Sequence, residues 1–153
     1  PHYREFFRKV NDLLADDGVM LLHSIGHMSP PGTASPWLRK YIFPGAYSPA
    51  LSEVFPAVEH NSLWVTDCEF LRVHYATTLR HWYDRFYANR AKVAAMYDER
   101  FCRMWEFYLI AVELGFLHGS DMVFQLLLAN ERDAVPIVRD FIVDDERTLM
   151  AKA

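Results

Sequence analysis

The stretch VMLLHSIGHMSPPG, residues 19–32, decides the fold, because an apolar run takes in a histidine and then gives way to a loop. A short apolar run of this kind predicts a buried strand of a parallel sheet, here Val19–Ile25. Ligands of open α/β sheets bind at the carboxyl ends of the strands. His23 and Ile25 stand at such an end, which makes them candidate site residues. A core histidine that hydrogen-bonds to a neighbour is the alternative for His23.

Two further strands are predicted along the chain. Residues 63–73 mix β-forming side chains with two acids, and residues 121–129 form an apolar run after a glycine. Apolar residues at helical spacing predict a helix before Gly18 and a long helical stretch over residues 77–117. Strands that alternate with helices indicate an α/β sheet.

Shorter signals complete the pattern. Ser35-Pro36 and Ser48-Pro49 each combine an N-cap residue with a proline at the first helical position, which predicts a helix after each pair. The segment 141–153 is polar and is predicted to be a fraying tail of the domain formed by residues 1–140.

Composition excludes several classes of function. The 153 residues carry a formal net charge of −4, so no overall basic field points to nucleic acid. Cys68 and Cys102 are too few for a disulfide framework or a zinc site, which favours a reducing compartment. No run of about 18 apolar residues predicts a membrane span. The chain starts at Pro1 within a helical pattern, so we expect it to be a piece of a longer protein.

Cofactor and metal motifs are missing from the sequence. The six glycines contain no GxG, so no residue is assigned to a nucleotide-type cofactor. His23 and His27 imitate a metal-binding spacing, but the spacing crosses from strand to loop, where i and i+4 do not share a helix face. The sequence therefore predicts no metal site.

Aromatic residues supply the remaining candidates. Tyr75 lies at the second strand-to-helix junction, either aimed into the cleft beside His23 or packed with its hydroxyl on a backbone carbonyl. The stripe that contains Trp105 and Tyr108 is typical of a core, although a pocket wall stays open. Trp37 and Phe43 flank basic residues, a mixture that suits either a membrane interface or an ordinary solvated helix.

Four motifs then identify a family resemblance. LLHSIG (21–26), PWLRKYIFPGAYSPALSEV (36–54), LRVHYATTLRHWYDRF (71–86) and YDERFCRMWEFYL (97–109) resemble, in order and spacing, the C-terminal part of cyclopropane-fatty-acyl-phospholipid synthases. The similarity extends to about residue 140.

The resemblance implies a fold and a cofactor. The fold is that of a seven-stranded, Rossmann-like class I methyltransferase, with the predicted strands as its fifth, sixth and seventh and the helical stretch as a lipid-site insertion. The cofactor is S-adenosylmethionine, and the strands that bind it would precede Pro1. The chain alone is then expected to be inactive.

The resemblance also implies a reaction. A cis double bond of a phospholipid acyl chain attacks the sulfonium methyl, a carbocation forms, a proton leaves and a cyclopropane ring closes. Bicarbonate is the implied base, and the residues that match its binding residues are His23, Ile25 and Tyr75. An imidazole, a backbone N–H and a phenol can all donate hydrogen bonds to such an anion. The implied substrate-pocket residues are Trp37, Phe43, Trp105 and Tyr108.

Expected partners and location follow from the same resemblance. They are membrane phospholipid, peripheral contact with the inner membrane face from the cytoplasm, a homodimer, and no nucleic acid. Two rival functions stay open. One is a related lipid or small-molecule methyltransferase on the same scaffold, with a methyl-branched product for example. The other is a non-catalytic lipid-binding or interaction remnant.

Overall fold

Residues 2–152 are described by a computed structural model and form three strands and seven helices. The strands are β1 (Val19–His27), β2 (Trp64–Phe70) and β3 (Asp121–Ala129). The helices are α1 (Tyr3–Leu13), α2 (Pro36–Tyr41), α3 (Leu51–His60), α4 (His74–Ala88), α5 (Arg90–Met96), α6 (Glu99–His118) and α7 (Asp140–Met150).

The sheet has the strand order β1-β3-β2, so the last strand in the chain lies in the middle. Met28 N–H donates to Ser120 O next to β3, and His23 lies against Gln125, so residue numbers fall on one strand as they rise on the other. β1 and β3 are therefore antiparallel.

β2 is also antiparallel to β3. Leu71 N–H donates to Val123 O, and the Thr66 hydroxyl donates to Leu127 O. Since β1 and β2 both run against β3, they are parallel to each other, and their carboxyl ends lie at the same edge of the sheet.

The prediction of a buried parallel strand at Val19–Ile25 is corrected in two respects. β1 continues to His27, and over residues 19–24 its side chains alternate between exposed and half-buried because successive side chains point to opposite faces of the sheet. β3 is the strand with the buried character, since most of its side chains are covered. The other predicted strand, residues 63–73, shortens to Trp64–Phe70 because a turn precedes α4.

Helix starts differ from the predicted caps. The Ser35 side chain makes no capping hydrogen bond at the start of α2. At the start of α3 the backbone N–H of Ala50 is instead satisfied by Glu53, whose Oε2 lies 2.9 Å away.

The predicted polar tail contains α7, a helix with no buried residue. No helix within residues 2–152 is long and apolar enough to cross a membrane.

The described chain divides into two compact units. The first takes in the described residues of Pro1–Leu22, Ala57–Asp67 and Leu126–Ala153, and the second takes in His23–Pro56 and Cys68–Gln125. In the second unit Leu79 of α4, Leu109 of α6 and Val123 of β3 form the centre of a buried cluster. That cluster fixes α4 and α6 over one face of the sheet.

Candidate functional site

A large open cleft lies wholly within the second unit. Its volume is about 1590 Å³, and its walls come from β1, α2, the loop after α2, and α6. His23, Ile25 and Tyr75 all line this cleft, so the structure brings the three predicted site residues to one place.

His23 projects from β1 beside Gln125 of β3. The Gln125 amide nitrogen, Nε2, lies 3.1 Å from the His23 ring nitrogen Nδ1. An amide nitrogen only donates, so Nδ1 accepts and the ring proton lies on Nε2. His23 therefore keeps one N–H to offer to a ligand in the cleft. Sequence patterns alone missed Gln125, whose role depends on the β1–β3 register.

Ile25 presents its backbone N–H away from β3. Alternate residues of a strand direct their N–H groups to opposite sides. Met28 N–H points to Ser120, whereas His27 N–H points to Pro49 O, 3.1 Å away on the other side. Ile25 shares the direction of His27, and among the described residues no acceptor outside the strand ladder receives its N–H. A second donor is thus available beside His23.

Tyr75 reaches the cleft because α4 begins just after the carboxyl end of β2. Its ring packs against Phe116 and Trp82, with centroids 5.1 and 5.9 Å apart. In the part of the chain that the structure describes, its hydroxyl has no hydrogen-bond partner, so the alternative of a bond to a backbone carbonyl is not what this structure contains. Burial raises the pKa of the Tyr75 phenol, which keeps the hydroxyl protonated as a donor.

An aromatic wall faces these donors. Trp37, Phe43 and Tyr108 line the cleft, and their role as substrate-pocket residues stays a prediction. The Phe43 and Tyr108 rings meet edge to face at 5.7 Å. Trp105 is a correction: it packs behind Tyr108, 5.0 Å between centroids, against the buried cluster. One helical stripe therefore serves both wall and core.

Cations stand at the exposed side of the cleft. Arg100 and Arg103, in the first turns of α6, line it, and Lys40 lies with its Nζ 5.0 Å from the centre of the Tyr41 ring. Lys40, and to a smaller extent Arg100, lower the pKa of the Tyr41 phenol. We call Lys40, Arg100 and Arg103 the cation cluster; the sequence analysis assigned it no role.

A polar group of side chains occupies another part of the cleft. The His27 Nδ1 atom lies 2.7 Å from the Ser29 hydroxyl, and Asp121 faces His27 across the strands. Burial raises the pKa of the Asp121 carboxyl, and the charge of His27 opposes that shift. No group of three or more His, Cys, Asp or Glu within residues 2–152 is arranged to hold a metal ion.

Sequence comparisons give a consistent set of relatives. Residues 1–126 match the mycolic acid cyclopropane synthetase family. The tuberculostearic acid methyltransferase UfaA1 of Mycobacterium tuberculosis is 42% identical over 97 residues, which are 62% of this chain and 23% of the relative. The cyclopropane-fatty-acyl-phospholipid synthase of Escherichia coli is 32% identical over 128 residues, 84% of this chain and 33% of the relative.

Solved structures agree with the sequences. The cyclopropane synthase MmaA2 from Mycobacterium tuberculosis has a TM-score of 0.76 and 26% identity. The match covers 83% of this chain and 49% of the MmaA2 chain. The mycolic acid cyclopropane synthase CmaA1, complexed with SAH and CTAB, has a TM-score of 0.74 and 30% identity. The match covers 82% of this chain and 49% of the CmaA1 chain. The chain thus spans a quarter to a third of these curated relatives and about half of the solved chains.

Proposed function

Because this chain belongs to the mycolic acid cyclopropane synthetase family, we propose that its protein transfers the methyl group of S-adenosylmethionine to a cis double bond in a phospholipid acyl chain and closes a cyclopropane ring. The three-stranded sheet with its helices is part of a class I methyltransferase fold. The solved relative CmaA1 is complexed with SAH, the demethylated form of that cofactor, which supports the choice of methyl donor.

One observation carries the proposal to this chain's own residues. The ring N–H of His23, the backbone N–H of Ile25 and the hydroxyl of Tyr75 border one cleft, and none of the three donates a hydrogen bond to another described residue outside the sheet ladder. Three hydrogen-bond donors suit a small oxyanion such as bicarbonate. These residues would hold bicarbonate as the base that removes the proton.

The cofactor supplies an electrophilic methyl group when it is bound, and we assign no residue of this chain to it. The residues here serve the lipid side of the reaction. The faces of Tyr108 and Trp37 can stabilise a cation on the acyl chain. An acyl chain bound along the apolar wall of the cleft would displace water, which would otherwise trap that cation as an alcohol.

The atoms of the reaction balance without an oxidant or a reductant. The alkene electrons form a bond to the methyl carbon as the carbon–sulfur bond breaks. One proton then leaves the new methyl group, and its electrons close the ring. His23, Ile25 and Tyr75 would hold the bicarbonate that accepts that proton.

Product analysis with the intact protein tests this function. Vesicles of phosphatidylglycerol with cis-monounsaturated chains are incubated with S-adenosylmethionine, and the fatty acids are examined by mass spectrometry and proton NMR. We expect a gain of one CH2 with the upfield ring-methylene signal of a cyclopropane. A cofactor-free reaction is the control, and unchanged fatty acids with active cofactor present would refute the proposal.

A second candidate is a methyltransferase that leaves a methyl or methylene branch on the same alkene. The identity of 42% to a tuberculostearic acid methyltransferase favours it. A methylene branch gives the same mass as a ring, so NMR decides between the two: vinyl signals indicate the branch, and upfield ring signals indicate the cyclopropane.

A further inference from the structure

The cation cluster of Lys40, Arg100 and Arg103 takes no part in the ion pairs formed among residues 2–152. Its neighbour Arg90 behaves differently. Arg90 binds Glu99 and Glu106 of α6, at 2.8 and 2.7 Å, so these two carboxylates form their ion pairs with Arg90, while Arg103 adds a weaker charge effect that lowers the pKa of Glu99. The cluster is left with an excess of positive charge.

That excess is local and has an energetic cost. The chain as a whole is acidic, with 20 acidic and 16 basic residues, so the cluster does not reflect a general basic surface. Arg100 and Arg103 are three apart on α6, a spacing at which like charges face each other and repel. An anion between them would remove that repulsion and accept hydrogen bonds from both guanidinium groups.

Ring contacts connect the cluster with the aromatic wall. Tyr41, beside Lys40, packs on Trp37 with 5.8 Å between ring centres, and Trp37 packs on Phe107 at 4.8 Å. The Phe107 side chain is 57% exposed although it is apolar. Cationic groups next to exposed aromatic rings match a ligand that is anionic at one end and apolar at the other.

We propose that the cation cluster, with the Tyr41 hydroxyl, binds the phosphate of a phospholipid headgroup while Trp37 and Phe107 contact the start of its acyl chain. The assignment rests on the proposed function only in taking a lipid as the substrate. It adds a headgroup subsite to the donors His23, Ile25 and Tyr75.

The test compares two double variants of the intact protein. Arg100→Gln with Arg103→Gln removes two charges from the cluster, and Arg85→Gln with Lys92→Gln removes two from exposed positions on α4 and α5. Binding is measured by co-sedimentation with phosphatidylglycerol vesicles and by calorimetry with dispersed dihexanoyl phosphatidylglycerol. We expect the cluster variant to lose about 30-fold in affinity, because each of the two removed cations contributes about 5-fold near a lipid phosphate.

The control pair is expected to retain its affinity for dispersed lipid, and Arg100→Lys with Arg103→Lys should lose less than the Gln variant because the charges stay. Equal losses in the cluster and control variants would reduce the effect to net charge and overturn the subsite. Circular dichroism and thermal melting establish that each variant is folded.

A last arm separates the lipid headgroup from free phosphate. Inorganic phosphate should not displace the dispersed lipid at matched concentration, since it lacks the apolar part. Displacement at matched concentration would overturn the lipid assignment. All binding is measured without S-adenosylmethionine and therefore separately from the product analysis. A cluster-dependent affinity, together with no alkylated product when S-adenosylmethionine is supplied, would uphold the subsite and refute the proposed reaction.

Discussion

Three donor groups, on different elements, meet at one cleft. The phenol of Tyr75 has no described partner, the imidazole of His23 has its Nδ1 occupied by Gln125, and Ile25 directs its N–H away from β3. Each group is left with one hydrogen to offer. At the scale of single residues, the proposed chemistry depends on those hydrogens more than on the bulk of the side chains.

Tyr75→Phe in the intact enzyme removes one hydroxyl and keeps the ring. Losing a hydrogen bond to a charged group costs roughly 1.5–3 kcal/mol, or about 10- to 150-fold in bicarbonate affinity. Activity should therefore shift to higher bicarbonate concentration, while the affinity for S-adenosylmethionine stays near that of the parent. A titration that does not shift, in a variant of normal cofactor affinity, would remove Tyr75 from the site.

Gln125→Met tests the orientation of His23. Without the amide, the proton is free to move to Nδ1, and we expect a rise in the KM for bicarbonate of about 2- to 12-fold, the value of roughly 0.5–1.5 kcal/mol for one hydrogen bond. Nitrogen-15 NMR of the imidazole should show a changed tautomer ratio.

Gln125→Glu is the matched comparison, because a carboxylate accepts from Nδ1–H and favours the opposite tautomer. It should be more defective than Gln125→Met. If both variants keep the parental tautomer ratio, Gln125 does not orient the ring.

At the scale of elements, packing between β1 and its neighbours leaves no room for a side chain at Gly26. A Cβ there would lie 2.7 Å from Phe124 Cε1 and 2.7 Å from Pro49 O. Because one of these atoms is backbone, relief requires β1 or the loop before α3 to shift.

Gly26→Ala should lower the free energy of unfolding by about 1–3 kcal/mol, the usual cost of overpacking. Gly32→Ala is the control, since its nearest atom, Pro30 O, lies 3.8 Å away and the turn has space. Chemical denaturation measures both. Equal stabilities of the two variants would mean that β1 adjusts freely.

The elements could be predicted to different degrees. Residues 121–129 were predicted as a strand with the bounds observed for β3, because a covered strand is mostly apolar and Gly119 ends the preceding helix. The pairing of β1 could not be predicted, since its partner β3 lies about 100 residues later in the chain and an apolar run does not reveal which strand it pairs with. α7 was missed because it buries no side chain, so its sequence has no clear apolar stripe at helical spacing.

Some features of the candidate site were expected from the sequence, and others were missed. The fold class expected from the family resemblance is confirmed, and His23, Ile25 and Tyr75 line one cleft as expected. Their roles stay predictions. Gln125 and the cation cluster were missed because strand register and unpaired charge are properties of the assembled chain. Trp105 packs against the buried cluster, as the pattern of the aromatic stripe favoured, and does not line the cleft as the family resemblance implied.

At the scale of the whole molecule, β1 leaves one edge of the sheet open within the described chain, except at His27, which forms a bridge with Ala50. Every second N–H of β1 points away from β3, and Leu21 on this strand is 57% exposed. Open apolar edges pair with other chains.

We expect the 153-residue polypeptide, expressed alone, to self-associate, and Leu21→Lys to reduce that association. Leu13→Lys adds the same charge on α1, where the replaced side chain is 83% exposed but offers no strand edge. Sedimentation velocity distinguishes the variants. A monomeric parent with a cooperative melting transition would contradict the expectation.

The central position of β3 also sets an order of events during synthesis. β1 and β2 are joined in the described sheet only through β3, yet β3 is translated 59 residues after the end of β2, from Phe70 to Ala129. At 5–20 residues per second the ribosome needs roughly 3–12 s for that distance. The same interval separates the emergence of β2 from that of β3, so we expect a nascent chain stalled before Asp121 to expose β2 without the strand that later pairs with it.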